Sequence, residues 1–153
     1  MKISTRGRYA LRFMMDLALH GGERYIPLRE ISARQDISLK YLEQIVSLFQ
    51  KNGFLKSTRG ASGGYRLARP ARDYTAGDIL RITEGPLAPV ACLETEANDC
   101  PRKDACGTLS FWTGLYQVIN DYVDSVTLAD LCERQKEFGP DFCISFFKKG
   151  NSC

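Results

Sequence analysis

The sequence predicts a mainly α-helical fold with a small β wing, and three observations carry that reading. Apolar residues recur at helical spacing through much of residues 4–51 and 108–134. The two strand-like runs, Phe54 to Thr58 and Tyr65 to Ala68, are short and joined by the glycine-rich tip Arg59-Gly60-Ala61-Ser62-Gly63-Gly64. Directly before them, Leu28 to Ile45 forms two short amphipathic segments broken at Asp36-Ile37-Ser38. A helical hairpin followed by a strand hairpin is the order of a winged helix-turn-helix. A further long helical pattern, suited to dimerisation, follows it.

Residues 4–20 read as a helix with Ala10, Phe13, Met14 and Leu17 on one face and Arg6, Arg8 and Arg12 near its start. Those arginines are either phosphate contacts or solvated charges beside a packed helix. Gly21-Gly22 stops the helix, and Tyr25-Ile26 before Pro27 suits a small edge strand or the first turn of the next helix. In the two-segment stretch, Leu28 and Ile31 mark the first inner face, Leu42, Ile45, Val46 and Phe49 the second, and Ile37 plugs the turn. Ser38 caps the second helix, which puts Leu39, Lys40 and Tyr41 at its leading end. A leading end is what enters a major groove. The outer face then shows Lys40, Tyr41, Glu43, Gln44 and Ser47, donors, acceptors and one aromatic suited to base edges. An ordinary helical hairpin with a solvated face has the same pattern, so charge must decide between the two.

The chain has 153 residues, which suit one domain or a domain plus an appendage, and its 44% hydrophobic and one-quarter charged residues are an ordinary soluble globular composition. Its net charge of +3 hides a division. Residues 1–72 carry 14 Lys/Arg against 5 Asp/Glu, whereas residues 73–153 carry 7 against 13. A basic excess on the half with the helix-turn-helix favours a polyphosphate partner through counterion release and steering. No apolar run approaches the roughly 20 residues of a membrane span. Arg12 and Asp16 interrupt the apolar part of the N-terminus, so a signal peptide is not expected and the reading is cytoplasmic, without a membrane partner.

Small residues at the hairpin tip, Gly60 and Gly63 among them, let backbone approach a sugar-phosphate chain, with Arg59 placed to reach the minor groove. A phosphate-cradling loop is excluded, because the tip lacks the Gly-x-x-x-x-Gly-Lys-Ser/Thr pattern and no helix start follows the glycines. Thr75 with Asp78 resembles a capping box, with Asp in place of Glu or Gln, and opens a short helix that Gly85-Pro86 ends.

Periodicity then disappears over residues 86–107, where Cys92, Cys100 and Cys106 lie in polar, acidic surroundings. So long a loop is usually functional or disordered. Clustered cysteines in a reducing compartment point to metal or redox chemistry rather than to a structural disulfide. Their gaps of seven and five residues are not the short pairs of common zinc sites, whereas thiolates on a flexible loop can wrap an iron-sulfur cluster. The bland alternative is an exposed loop with incidental cysteines. Residues 108–126 give a helix about 28 Å long with Trp112, Leu115, Tyr116, Ile119, Tyr122, Val123 and Val126 as its apolar stripe. Pairing with the same helix of a second copy is one way to bury such a stripe, and packing within the monomer is the other. Thr127 caps a short helix, Leu128 to Arg134, carrying Cys132. The tail after Gly139-Pro140, with Cys143 and Cys153, finds no place in this reading.

The succession of helix, helix-turn-helix with ISLKYLEQI, the wing KNGFLKSTRGASGGYRLAR, a three-cysteine loop and a long helix running to TLADL resembles the Rrf-type winged-helix regulators, and among them the iron-sulfur-sensing, IscR-like branch. The resemblance covers residues 1–134. It implies a transcription regulator, expected to be a repressor and not an enzyme, that binds double-stranded DNA as a homodimer on a pseudo-palindromic operator. Ser38, Leu39, Lys40, Tyr41, Glu43 and Gln44 on the recognition helix and Arg59, Gly60 and Gly63 on the wing are the expected DNA-binding residues. It also implies an iron-sulfur cluster, of 2Fe-2S or related type, on Cys92, Cys100 and Cys106. Two departures stand out: the first cysteine gap is wider than the family's usual five residues, and Leu109 occupies the position three after the last cysteine, where IscR-like members have a histidine ligand. The fourth ligand stays open between Asp104, Glu43, a C-terminal cysteine and a residue of the partner chain, and a labile cluster, lost in aerobic preparations, is expected. The implied organisation is a DNA-binding domain over 1–85, a sensor loop over 86–107, dimerisation helices over 108–137 and a tail over 138–153. The alternative function is a cysteine-based redox or metal-handling protein on the same scaffold, for which one His and no Cys-x-x-Cys make poor acid-base equipment.

Overall fold

The computed structural model describes residues 2–60 and 62–138. The tail cysteines Cys143 and Cys153 therefore lie outside the described residues. Helix α1 (Thr5–His20) leads, followed by the helical pair α2 (Leu28–Gln35) and α3 (Leu39–Lys51), the antiparallel strands β1 (Leu55–Thr58) and β2 (Gly64–Leu67), α4 (Ala76–Glu84), the long α5 (Leu109–Ser125) and α6 (Leu128–Glu137). This is the mainly α fold with a small wing that the sequence predicts.

The local rules hold where side chains decide them. Ser4 and Ser38 cap α1 and α3, their hydroxyls accepting from the amides of Gly7 and Tyr41. Thr75–Asp78 forms the reciprocal capping box at α4, and Thr127–Asp130 forms a second at α6. Asp36 takes the left-handed conformation at φ 51°, turning the chain between α2 and α3 while Ile37 is buried. In the wing, Leu55 lies opposite Leu67 and Thr58 opposite Gly64. Tyr25-Ile26 does supply an edge: Ile26 and Tyr65 exchange backbone hydrogen bonds of 2.8 and 2.9 Å. Gly64 is needed there, since a Cβ would stand 2.5 Å from the Ile26 carbonyl.

The core lies where α1, α3, α4, α6 and the wing meet. Phe13, Phe49, Phe54 and Tyr74 follow one another ring to ring at 6.4, 5.7 and 5.1 Å. Each fully buried ring of this kind stabilises the fold by about 2–3 kcal/mol. The buried Tyr74 hydroxyl donates to the Phe54 carbonyl and accepts from the Arg69 amide, both at 2.9 Å, which offsets its desolvation. Beyond α5 the chain returns to this core. Ala76 donates to the Val126 carbonyl and Leu128 to the Tyr74 carbonyl, each at 2.8 Å, and α6 lays Leu128 and Cys132 against α1.

Helix α5 is less simple than one stripe. Trp112, Tyr116, Ile119 and Val123 are half-buried, and Val126 just beyond the helix is buried. Leu115 and Tyr122 instead stand open, in line with Phe111 and Val118, which the sequence pattern did not include. Those four follow each other at helical spacing on one face. The stripe divides because Arg81 of α4 anchors α5 from one side, its guanidinium donating to Asp124 at 2.7 and 2.8 Å and to Asn120 at 2.8 Å.

Candidate nucleic-acid interface and cysteine loop

Helix α3 turns Leu42, Ile45, Val46 and Phe49 into the core and leaves Leu39, Lys40, Glu43, Gln44 and Ser47 exposed. Two neighbours bracket this exposed face. On one side the start of α1 approaches, so that Arg6 lines an open groove of about 590 Å³ with Lys40, Glu43, Gln44, Ser47 and Leu48. On the other, the Gln50 amide donates to the Ser57 hydroxyl at 3.1 Å, tying the end of α3 to the first strand of the wing. Ser38 is exposed and engaged as the cap. Tyr41 is only half exposed, because its ring meets Tyr9 edge-on at 5.4 Å, so part of it serves packing between α1 and α3.

The wing tip joins the two strands. Arg59 is exposed, Gly60 has φ 101°, and the Gly63 amide donates to the Gly60 carbonyl at 2.9 Å. A Cβ on Gly63 would lie 2.8 Å from that same oxygen, so the tight tip requires the small residues the sequence places there. Arg12, read as a possible phosphate contact, is committed elsewhere. It is half-buried, donates to the Gln35 side chain at 3.1 Å and also to its backbone carbonyl, and so holds the end of α2 against α1.

Sequence reasoning missed the clamp that sets the helical pair on α1. Asp16, fully buried, accepts from the Arg34 guanidinium at 2.6 and 3.0 Å and from the Gln35 amide at 2.9 Å. Hydrogen bonds to Asp16 hold the Arg34 guanidinium above its ordinary pKa. The signal was present as a lone acid interrupting an apolar helix face. A second missed contact joins the end of α4 to the start of α1: the Ser4 hydroxyl donates to Glu84 at 2.5 Å, an approach open only because Gly7 has no side chain.

The cysteine loop runs from α4 to α5 through 3-10 turns at Ala91–Leu93 and Lys103–Ala105. Cys92, Cys100 and Cys106 are each half-buried, outside the apolar core. Cys106 sits just before α5, where hydrogen bonding from the Thr108 hydroxyl, 3.4 Å away, and from backbone amides at the helix start holds its thiol below the ordinary value. Cys132 is the opposite case, its thiol pushed up to about 11 by burial against α1. Three accessible thiols are a donor set that fits iron. Their positions are not yet those of a site: among the described residues no three His, Cys, Asp or Glu side chains converge on one point. Leu109 opens α5 without a donor, His20 is turned to the Asp16 carbonyl on α1, and Glu43 lines the groove beside Arg6.

The profile of the Rrf2 family, described as an iron-dependent transcriptional regulator, matches residues 3–134. The chain belongs to the Rrf2 family. It is 41% identical over 131 residues to the protein rrf2 of Nitratidesulfovibrio vulgaris Hildenborough, covering 86% of this chain and 87% of that one. The solved structure of T. potens IscR superposes with a TM-score of 0.72 at 40% identity, covering 91% of each chain. That of CymR, the global cysteine regulator of B. subtilis, does so with a TM-score of 0.72 at 38% identity, covering 88% of this chain and 98% of that one. The chain is thus a winged-helix, DNA-binding transcription regulator of the Rrf2 family. Among the described residues no helix is long and apolar enough to cross a membrane.

Proposed function

We propose that this Rrf2 regulator acts in the cytoplasm as a homodimeric repressor on a pseudo-palindromic operator, and that its loop over residues 86–107 senses iron-sulfur or redox status through Cys92, Cys100 and Cys106. Recognition is assigned to Ser38, Leu39, Lys40, Tyr41, Glu43 and Gln44 in the major groove and to Arg59, Gly60 and Gly63 against the backbone and minor groove. The homodimer is supported by the open apolar face of α5, where Phe111, Val118 and Tyr122 are each more than 60% exposed.

One observation carries the sensing role: the three thiols lie on the segment that leaves α4, and α4 grips both functional halves, α1 through Glu84 and α5 through Arg81. An iron-sulfur cluster, most simply of 2Fe-2S type, would supply a crosslink that exists only while iron, sulfide and reducing conditions last. Cys106, already biased toward the thiolate, is the donor best prepared to bind, and Cys92 and Cys100 are brought to it by rearrangement of the loop. The fourth donor is left open between Asp104, Glu43, a C-terminal cysteine and a residue of the partner chain. Ordering the loop biases how α1 and α5 are held, and a coupling of about 1–3 kcal/mol between loop and operator is expected.

Anaerobic reconstitution tests this. Coloured protein containing iron and sulfide is expected, bleached by Cys→Ala at position 92, 100 or 106, with operator affinity that differs between apo and reconstituted forms in a gel shift. A stoichiometric zinc site, or no metal, refutes the cluster. Equal affinity of the two forms refutes the sensing role.

A further inference from the structure

Leu39 is the large apolar side chain that the DNA-reading surface leaves open. It is 46% exposed, at the first position of α3, between the exposed Ser38 cap and the exposed Lys40. Most other large exposed apolar residues among the described ones gather on α5 as Phe111, Leu115, Val118 and Tyr122, where one another's company explains them. Leu39 stands apart from that face, one turn before the buried Leu42 and two before the buried Val46, with nearly half of its surface left open. By helical angle it stands at the edge of the core-facing stripe of α3, between the buried Val46 on one side and Glu43 and Gln50 on the other, and the Gln50–Ser57 bond ties that side to the wing. A leucine here costs solvation in free protein and forms no polar contact with a phosphate.

The major groove offers one apolar group, the 5-methyl of thymine. We propose that Leu39 reads a thymine methyl in each operator half-site, next to the base edges reached by Glu43. This rests on the reading of α3 as the recognition helix, and it assigns the chemistry of one base pair. The leading end of a recognition helix is the part that comes within reach of base edges, and position 39 opens α3 between Ser38 and Lys40, both assigned to recognition. The pairing buries the methyl against the leucine branch and removes both from water, so it distinguishes thymine from the otherwise identical uracil.

The experiment selects duplexes bound by the full chain from a random pool, then replaces each thymine of the consensus in turn by deoxyuridine and measures binding by fluorescence anisotropy at fixed salt. Wild-type protein is expected to lose about three- to fivefold at one thymine per half-site, the effect of one buried methyl-sized group. Leu39→Ala is expected to bind the thymine duplex weaker by a similar or larger factor and to ignore deoxyuridine at that position alone. Because the scan on wild-type protein needs no variant, a folding defect cannot mask the answer. If no thymine position responds, or if Leu39→Ala keeps the full response, the inference is overturned while recognition through α3 stands. Failure to enrich any sequence overturns the reading of α3 itself.

Discussion

Replacing Asp16 by Ala should reveal how the helix-turn-helix is mounted. The carboxylate is fully buried and receives two Arg34 nitrogens and the Gln35 amide. Its removal leaves the Arg34 guanidinium, 28% exposed, with only the 3.5 Å contact to Glu30 among the described residues. Breaking a buried pair by deleting one member costs about 3–5 kcal/mol. Access of water to Arg34 argues for the lower end, about 3 kcal/mol. For a chain of this size that corresponds to a fall in Tm of about 6–12 °C. Urea and thermal unfolding of wild type, Asp16→Ala, Arg34→Met and the double variant would measure it. The double variant should be more stable than Asp16→Ala alone, because the stranded charge is gone. Asp16→Ala within about 0.5 kcal/mol of wild type would refute the clamp.

Other expectations follow from the same geometry. Gln44→Ala and Arg59→Ala should each weaken specific DNA binding by about 1–3 kcal/mol and nonspecific binding less; a change confined to the salt slope would mean phosphate contacts alone. Val118→Asp, on the open face of α5, should give folded monomers in sedimentation, and an unchanged dimer would move the interface elsewhere. The Arg81 guanidinium holds the Asp124 carboxyl below its ordinary value. The stability this adds is therefore complete above the ordinary carboxylate value, about pH 4, and is lost as pH falls through the lower value of the folded state. Wild type should then lose stability on acidification more steeply than Asp124→Asn, as followed by unfolding midpoints between about pH 5 and pH 2.

The sequence by itself determined what depends on neighbours along the chain. The inner faces of α1 and α3, the Ser38 cap, the α4 capping box and the glycine tip of the wing all follow from local spacing and hydrogen-bonding chemistry. The basic half and the three-cysteine loop were legible for the same reason, since composition needs no fold. Contacts between residues distant in sequence were not. Nothing local says that Asp16 will meet Arg34, that Glu84 will reach the α1 cap, or that Arg12 will bind Gln35 rather than a phosphate. A helical stripe shows which residues avoid water, and only packing shows what covers them. Tertiary structure divided α5 into a flank against α4 and an open face, because the Arg81 anchor decides which side of that helix the monomer can bury. It also left Leu39 partly open at the start of α3, an exposure that periodicity alone does not reveal.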